Sequence, residues 1–161
     1  MMCSASGYQL RQLLQKCYFP EDWCYRPLRT RAEMGDFLEE ISKTLDCLGF
    51  SHRDVMGVRL ALEEAVINAI RHGHREDPKK QVHVHYHVTQ HLVLVEVQDE
   101  GNGFDPTVVA DPTTEPNLSK ETGRGLFLMR HYMTWVRFTE HGTCVTLCKH
   151  RALDGRGAQP G

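Results

Sequence analysis

E-E-A-V-I-N-A-I-R-H-G, residues 63–73, decides how this chain folds and where its chemistry sits. Apolar residues spaced for a helix, Val55, Val58, Leu62, Ala65 and Ala69, run into and through it. Glu64 and Asn68 are four apart, so they stack on one side of that helix, beside the apolar stripe rather than opposite it. His72 continues the row by one more turn. Polar groups that flank a core face are partly buried and need partners. A carboxamide oxygen is a hard ligand suited to Mg²⁺, which takes few protein oxygens and keeps water or phosphate in its remaining positions. A carboxylate one turn away can order a water or take a proton from a hydroxyl. On the helix alone, a solvated pair of polar residues explains Glu64 and Asn68 as well.

Two further stretches bear on that choice. D-E-G-N-G-F, residues 99–104, follows a strand. Asp99 accepts hydrogen bonds only, as an exocyclic amino group requires. Gly101 and Gly103 let backbone approach a ligand closely. Asp and Gly also make ordinary turns. G-R-G-L-F-L-M, residues 123–129, opens an apolar helix. Gly123 and Gly125 then sit where unpaired N–H groups and the positive end of the helix dipole favour an anion, although a glycine-rich helix entry needs no ligand. The three stretches recur in one order, about 30 and 20 residues apart by the spacing rules for short motifs, and together they select the chemical reading.

Outward from these stretches the chain alternates in type. Trp23-Cys24-Tyr25 reads as a short strand halted by Pro27. Thr30 with Glu33 three residues on forms a capping box, and Met34, Phe37, Leu38, Ile41 and Leu45 form the stripe of a helix that Gly49 ends. Ser51, with Asp54 at the capping-box distance, starts the second helix, which Gly73 stops. Val82, Val84, Tyr86 and Val88 alternate with His83, His85 and His87, the pattern of a half-buried strand. Residues 92–97 are more continuously apolar and read as a central strand, joined to the first by a hairpin at Thr89-Gln90-His91. Residues 105–122 lack periodicity, and a loop that long is usually a lid, a binding loop or disorder. A helix over 125–135 and a final hairpin, 135–140 and 143–149 turning at His141-Gly142, complete the order. The expected architecture is an α/β (α+β) two-layer sandwich: a mixed, mostly antiparallel sheet with helices on one face. Residues 1–21 read as an N-terminal extension, 22–150 as the domain and 151–161 as a disordered tail.

Composition bounds the alternatives. The chain has 161 residues, 40% hydrophobic and 25% charged, enough for one domain with a core. A net charge of −2 gives no bulk attraction for nucleic acid. No apolar run reaches the ~18–20 residues of a membrane helix, and Met1 to Gln15 lack the pattern of a secretory signal. The six cysteines, at 3, 17, 24, 47, 144 and 148, form no C-x-x-C pair and read as free thiols of a cytoplasmic protein. Cys144 and Cys148 alternate onto one buried strand face, with a zinc site as the rival reading. His83, His85 and His87 could bind metal but more often form the solvent face of an amphipathic strand. Asn117-Leu118-Ser119 carries no weight as a glycosylation site in such a protein.

Together the three stretches resemble the nucleotide-binding boxes of the GHKL ATPase superfamily, and most closely its small anti-sigma factor serine/threonine-protein kinase branch. The resemblance spans roughly residues 22–150. It implies a Bergerat-type ATP-binding fold, with ATP held between helices and lid. By position it implies that Asn68 coordinates Mg²⁺, Glu64 is the general base or a water-orienting carboxylate, and Asp99 binds the adenine amino group. Gly101 and Gly103 would shape the adenine pocket, and Thr143, after Gly142, would complete it. Gly123 and Gly125 would offer amides to the phosphates. His72 and Leu126 fall within the same boxes as candidate nucleotide-contacting positions, and Arg124 would face either a phosphate or a partner.

In that branch the phosphoryl acceptor is a serine on a small antagonist protein, and the kinase otherwise holds a sigma factor, commonly as a homodimer. The resemblance therefore implies an ATP- and Mg²⁺-dependent kinase acting as a partner-switching regulator, with no nucleic-acid or membrane partner. Residues 1–25 are too short for the dimerisation hairpin of a histidine kinase. The rival reading is a module that binds nucleotide, or has lost it, and acts only by sequestering a partner. A third is an isolated regulatory ATPase.

Overall fold

The computed structural model describes residues 23–73, 77, 79–101, 121–139 and 142–152, without the side chains of residues 72, 73 and 121–123. The expectations for 1–21, for most of the 105–122 loop, for Gly103, His141, Asn117-Leu118-Ser119, Cys3, Cys17 and residues 153–161 lie outside the described residues.

Strand β1 (Cys24–Leu28) leads into α1 (Arg31–Cys47) and α2 (His52–Asn68). One π turn (Ala69–Gly73) continues α2. Strands β2 (Val82–Val88) and β3 (Leu92–Gln98), helix α3 (Glu121–Tyr132), and strands β4 (Trp135–Phe138) and β5 (Cys144–His150) follow. The sheet order is β1-β2-β3-β5-β4, so β3 takes the central position that its apolar run predicts. All four pairings are antiparallel, so the described sheet is antiparallel throughout rather than mixed.

The capping box of α1 acts as read. Thr30 Oγ1 accepts from the Glu33 amide, and Glu33 Oε2 accepts from the Thr30 and Arg29 amides. The Arg29 amide is the stronger cause holding the Glu33 carboxyl below its usual range. The five residues of the α1 stripe are its buried residues, and Gly49 ends the helix at φ 79°, a left-handed conformation that suits glycine. Arg151 closes this end from the far side of the sequence: its amide donates to His91 O, and its guanidinium donates to Leu48 O at 2.9 Å. The expected tail therefore begins after an anchored residue.

Pro27 does not stop β1. The strand runs through it to Leu28 and pairs with β2 in the register Pro27↔His83. It is an edge strand, where a residue without an N–H is tolerated if that side of the backbone faces away from the sheet.

The core lies between the sheet and the helices and includes Phe37, Leu45, Leu62, Val84, Val95 and Leu147, each fully enclosed. Helix α2 buries more than its predicted stripe, adding Gly57, Ala61 and Val66, because α3 packs along it. At Gly57 the fit is tight: a Cβ there would stand 2.8 Å from Tyr132 Cδ1. Gly57→Ala is expected to cost about 1–3 kcal/mol through the displaced ring, despite alanine's better helix propensity. Urea denaturation checks this, and an unchanged midpoint would show that the ring yields freely.

Asp54 ties three elements together. Its amide donates to Ser51 Oγ at the start of α2, and its carboxylate pairs with Lys149 of β5 at 2.9 Å. The same Lys149 ammonium donates to Tyr132 O, at the end of α3, at 2.9 Å. Burial alone would push the Asp54 carboxyl upward, but the hydrogen bonds from Lys149 and Ser51 outweigh it and hold the carboxyl below its usual range.

Candidate functional site

The described contacts join the predicted residues in two groups. The first stands where α2 and α3 meet. Glu64 and Asn68 lie half-buried near the end of α2, and the N-terminal turns of α3 press against them. A Cβ on Gly125 would stand 2.6 Å from Glu64 Oε2 and 3.4 Å from Asn68 Nδ2. The first and third stretches, some sixty residues apart in sequence by their numbering, are therefore in direct contact. Gly125 is where a side chain would fill the space that the carboxylate occupies.

This refines one expectation. Helix α3 begins at Glu121 and ends at Tyr132, not at 125 and 135, so both glycines lie inside its first turns. The N–H groups without intrahelical partners are those of the first turn. Gly123 falls among them, whereas Gly125, the fifth residue of the helix, lies beyond them. The sequence reading assigned Gly125 an amide role; its structural role is the close approach to Glu64. Leu126 is 6% exposed and belongs to the hydrophobic core. Arg124 is exposed on the outer side of α3. Trp135, expected to end that helix, opens β4 instead.

The π turn after Asn68 has no counterpart in the sequence reading. It replaces, over residues 69–73, the α spacing from which the row Glu64–Asn68–His72 was read. Such turns concentrate at functional sites. No helix-breaking residue marks this one before Gly73, which is why periodicity misses it.

The second group closes the end of the sheet. Asp99 follows β3, and its amide donates to Thr143 O at 2.9 Å, placing the predicted adenine-side residues next to one another. Gly101 N–H donates to Asp99 Oδ1 at 2.7 Å, folding Asp99–Gly101 into a tight turn. Gly142 takes φ 63° just before Thr143, as a turn into β5 through the left-handed region requires. The Asp99 amide bond extends the β3–β5 ladder by one step beyond the pair Gln98↔Cys144.

On the opposite face of the sheet the strand alternation brings His83 and His85 beside Tyr25 and Gln98. A shallow cavity of about 460 Å³ opens there, lined by Tyr25, His83, His85, Gln98, Asp99 and Glu100. The histidine face is half-buried rather than fully solvated. Cys144 and Cys148 point to this same face and are enclosed, and burial pushes their thiols up to about 12 and about 11. No cluster of three or more His, Cys, Asp or Glu able to hold a metal ion occurs among the described residues. No described helix is long and apolar enough to cross a membrane.

Residues 28–149, which contain all three stretches and Thr143, match the family described as histidine kinase-like ATPase domain. The chain belongs to that family. This ATPase-type domain is 33% identical over 130 residues to the anti-sigma F factor of Heyndrickxia coagulans, a match covering 76% of this chain and 83% of that protein. It is 30% identical over 126 residues to the anti-sigma F factor of Halalkalibacterium halodurans, covering 74% and 81%. It is 29% identical over 110 residues to the serine-protein kinase RsbW of Bacillus subtilis, covering 64% and 69%. These relatives are named for the anti-sigma and serine-kinase branch that the motifs resemble.

Proposed function

We propose that this domain is an ATP-dependent protein serine/threonine kinase that acts as an anti-sigma, partner-switching regulator, phosphorylating a serine on a small antagonist protein. The observation that carries the proposal is the contact of Gly125 with Glu64 and Asn68, which unites a candidate base, a candidate metal ligand and an anion-favouring helix start. The names of the relatives support the acceptor and the partner.

In this reading the triphosphate lies at the start of α3, where the Gly123 amide and the helix dipole favour its charge. Asn68 holds Mg²⁺ through its carboxamide oxygen; the ion supplies charge neutralisation at the phosphates when bound. The donor chemistry fits: one neutral hard oxygen leaves most positions for phosphate and water, as Mg²⁺ prefers. Glu64 accepts the proton of the acceptor serine hydroxyl as its oxygen bonds to the γ-phosphorus. The bond to the bridging oxygen breaks and ADP leaves, a transfer that rests on positioning and charge stabilisation more than on covalent chemistry. Asp99 accepts a hydrogen bond from the adenine amino group, beside Thr143.

The test is incubation with Mg-ATP and a candidate antagonist protein, reading phosphoserine, with two variants run alongside. Asn68→Ala is expected to abolish transfer, and full activity in it would refute the metal assignment. Asp99→Asn is expected to weaken ATP binding first, by roughly tenfold or more for a donor set against a donor. Calorimetry separates a nucleotide-binding scaffold, which binds ATP and transfers nothing, from a kinase.

A further inference from the structure

Glu100 sits between the two residues that shape the candidate adenine pocket, Asp99 and Gly101. Glu100 stands in the turn after β3 and reaches the outer face of the sheet, where it lines the shallow cavity together with Asp99 and His83. There its Oε1 stands 2.8 Å from His83 Nε2. His83 Nδ1 in turn stands 2.8 Å from the Tyr25 hydroxyl. The proton arrangement follows from the chemistry. A carboxylate accepts only, so Nε2–H donates to Glu100, and in the neutral imidazole Nδ1 then accepts from Tyr25 O–H. The Tyr25 ring also lies over both neighbours, its centroid 4.9 Å from that of His85 and 6.0 Å from that of His83.

We infer that the chain Tyr25–His83–Glu100 positions the adenine-reading turn, so that the outer face of the sheet sets how tightly and how selectively the site holds its base. This rests on the proposed role of Asp99. The turn is fixed at each of its three residues: Asp99 by its amide bond to Thr143 of the neighbouring strand, Gly101 by its bond back to Asp99 Oδ1, and Glu100 by His83. The shallow cavity beside this turn is lined by His83, Glu100 and their neighbours, so directional bonds rather than close packing define the position of Glu100. Removing the His83–Glu100 bond loosens the middle of the turn, while Asp99 and Gly101 keep their own bonds to Thr143 and to each other. These three are positioning residues, since none is placed against nucleotide.

The experiment measures the affinity of the full chain for Mg-ATP, Mg-GTP and inorganic tripolyphosphate in His83→Phe, Glu100→Ala, Glu100→Gln and Asp99→Asn. Loss of one such hydrogen bond predicts an ATP Kd raised about 3- to 10-fold in His83→Phe and in Glu100→Ala. The ATP-over-GTP preference should narrow by a similar factor, and tripolyphosphate binding should be unchanged. Glu100→Gln keeps an acceptor oxygen for His83 Nε2–H and should bind ATP as the parent does. Equal weakening for ATP and tripolyphosphate would overturn the inference in favour of a general structural role. Undiminished ATP affinity in both His83→Phe and Glu100→Ala, with Asp99→Asn impaired, would overturn it while leaving the adenine role of Asp99 standing. Undiminished ATP affinity in Asp99→Asn would remove that role and the inference with it. If His83→Phe melts early, the comparison of Glu100→Ala with Glu100→Gln decides.

Discussion

Gly125→Ala is expected to leave the fold standing and to remove phosphoryl transfer. The added Cβ would meet Glu64 Oε2 at 2.6 Å, which real atoms do not tolerate, so the carboxylate must swing away. It is the far end of a flexible side chain, and the swing costs little. Alanine in a helix also gains up to about 1 kcal/mol over glycine. Melting is therefore expected within about 1 kcal/mol of the parent's stability, on either side, by that same propensity scale. Activity is another matter: a displacement of about 1 Å in a reacting geometry can cost on the order of 10²-fold, and relieving this contact asks a shift of that order. The assay is phosphate transfer to an acceptor protein beside a thermal melt, with Glu64→Gln as reference. Transfer at parental rate would deny Glu64 any placed role. A collapsed melt would show that the contact serves packing instead.

Lys149→Met is expected to produce the largest loss of stability. It strips the partner from Asp54, whose side chain is only 7% exposed, and removes the donor to Tyr132 O at the end of α3. Breaking a buried pair by removing one member costs about 3–5 kcal/mol, or a fall in melting temperature of roughly 10 °C for a domain of this size. The pH dependence carries a sign. The Asp54 carboxyl is lowered in the native state from its ordinary 3.8, so its contribution is fully present above that value and is lost as pH falls through the lower native one. The gap between variant and parent should stand at neutral pH and close on acidification below about pH 4, as linkage requires. A constant gap down to pH 2 would mean that the cost is lost packing of the lysine stem. Replacing both members, Asp54→Leu with Lys149→Met, should recover part of the loss, because no buried charge is then left alone.

Where local chemistry and tertiary packing agree, the sequence alone is legible. Thr30 with Glu33, the α1 stripe ended by Gly49, and the alternation at 82–88 each act through neighbours three or four residues away, so spacing suffices to find them. The misses lie where a distant element decides. Gly57 and Ala61 look like neutral helix positions until α3 lies along them. Arg151 looks like tail until Leu48 and His91 supply its partners. Asp54 reads as a cap, yet its carboxylate belongs to a lysine ninety-five positions away by numbering.

The candidate site divides in the same way. Asn68, Glu64 and Asp99 stand out in the sequence as candidates because their chemistry narrows their use. That Gly125 serves Glu64 by lacking a side chain, and that Glu100 is drawn to His83, are facts of the assembled sheet and helix pair. The π turn at 69–73 left no trace in composition. The histidine row was visible as a pattern, but its bond to the turn after β3 was not.

Pro27 has a consequence for how this molecule meets copies of itself. It sits on the outermost strand, so the rim there lacks one of the donors that an incoming strand would need to zip alongside. Long unpaired rims invite fibrous association, and an interrupted one resists it. The opposite rim, Trp135–Phe138, is only four residues long, too short a template for firm docking of foreign backbone. Both borders of the sheet are thus blunted, and crowding in the cell should favour contacts through surfaces over growth in the sheet plane.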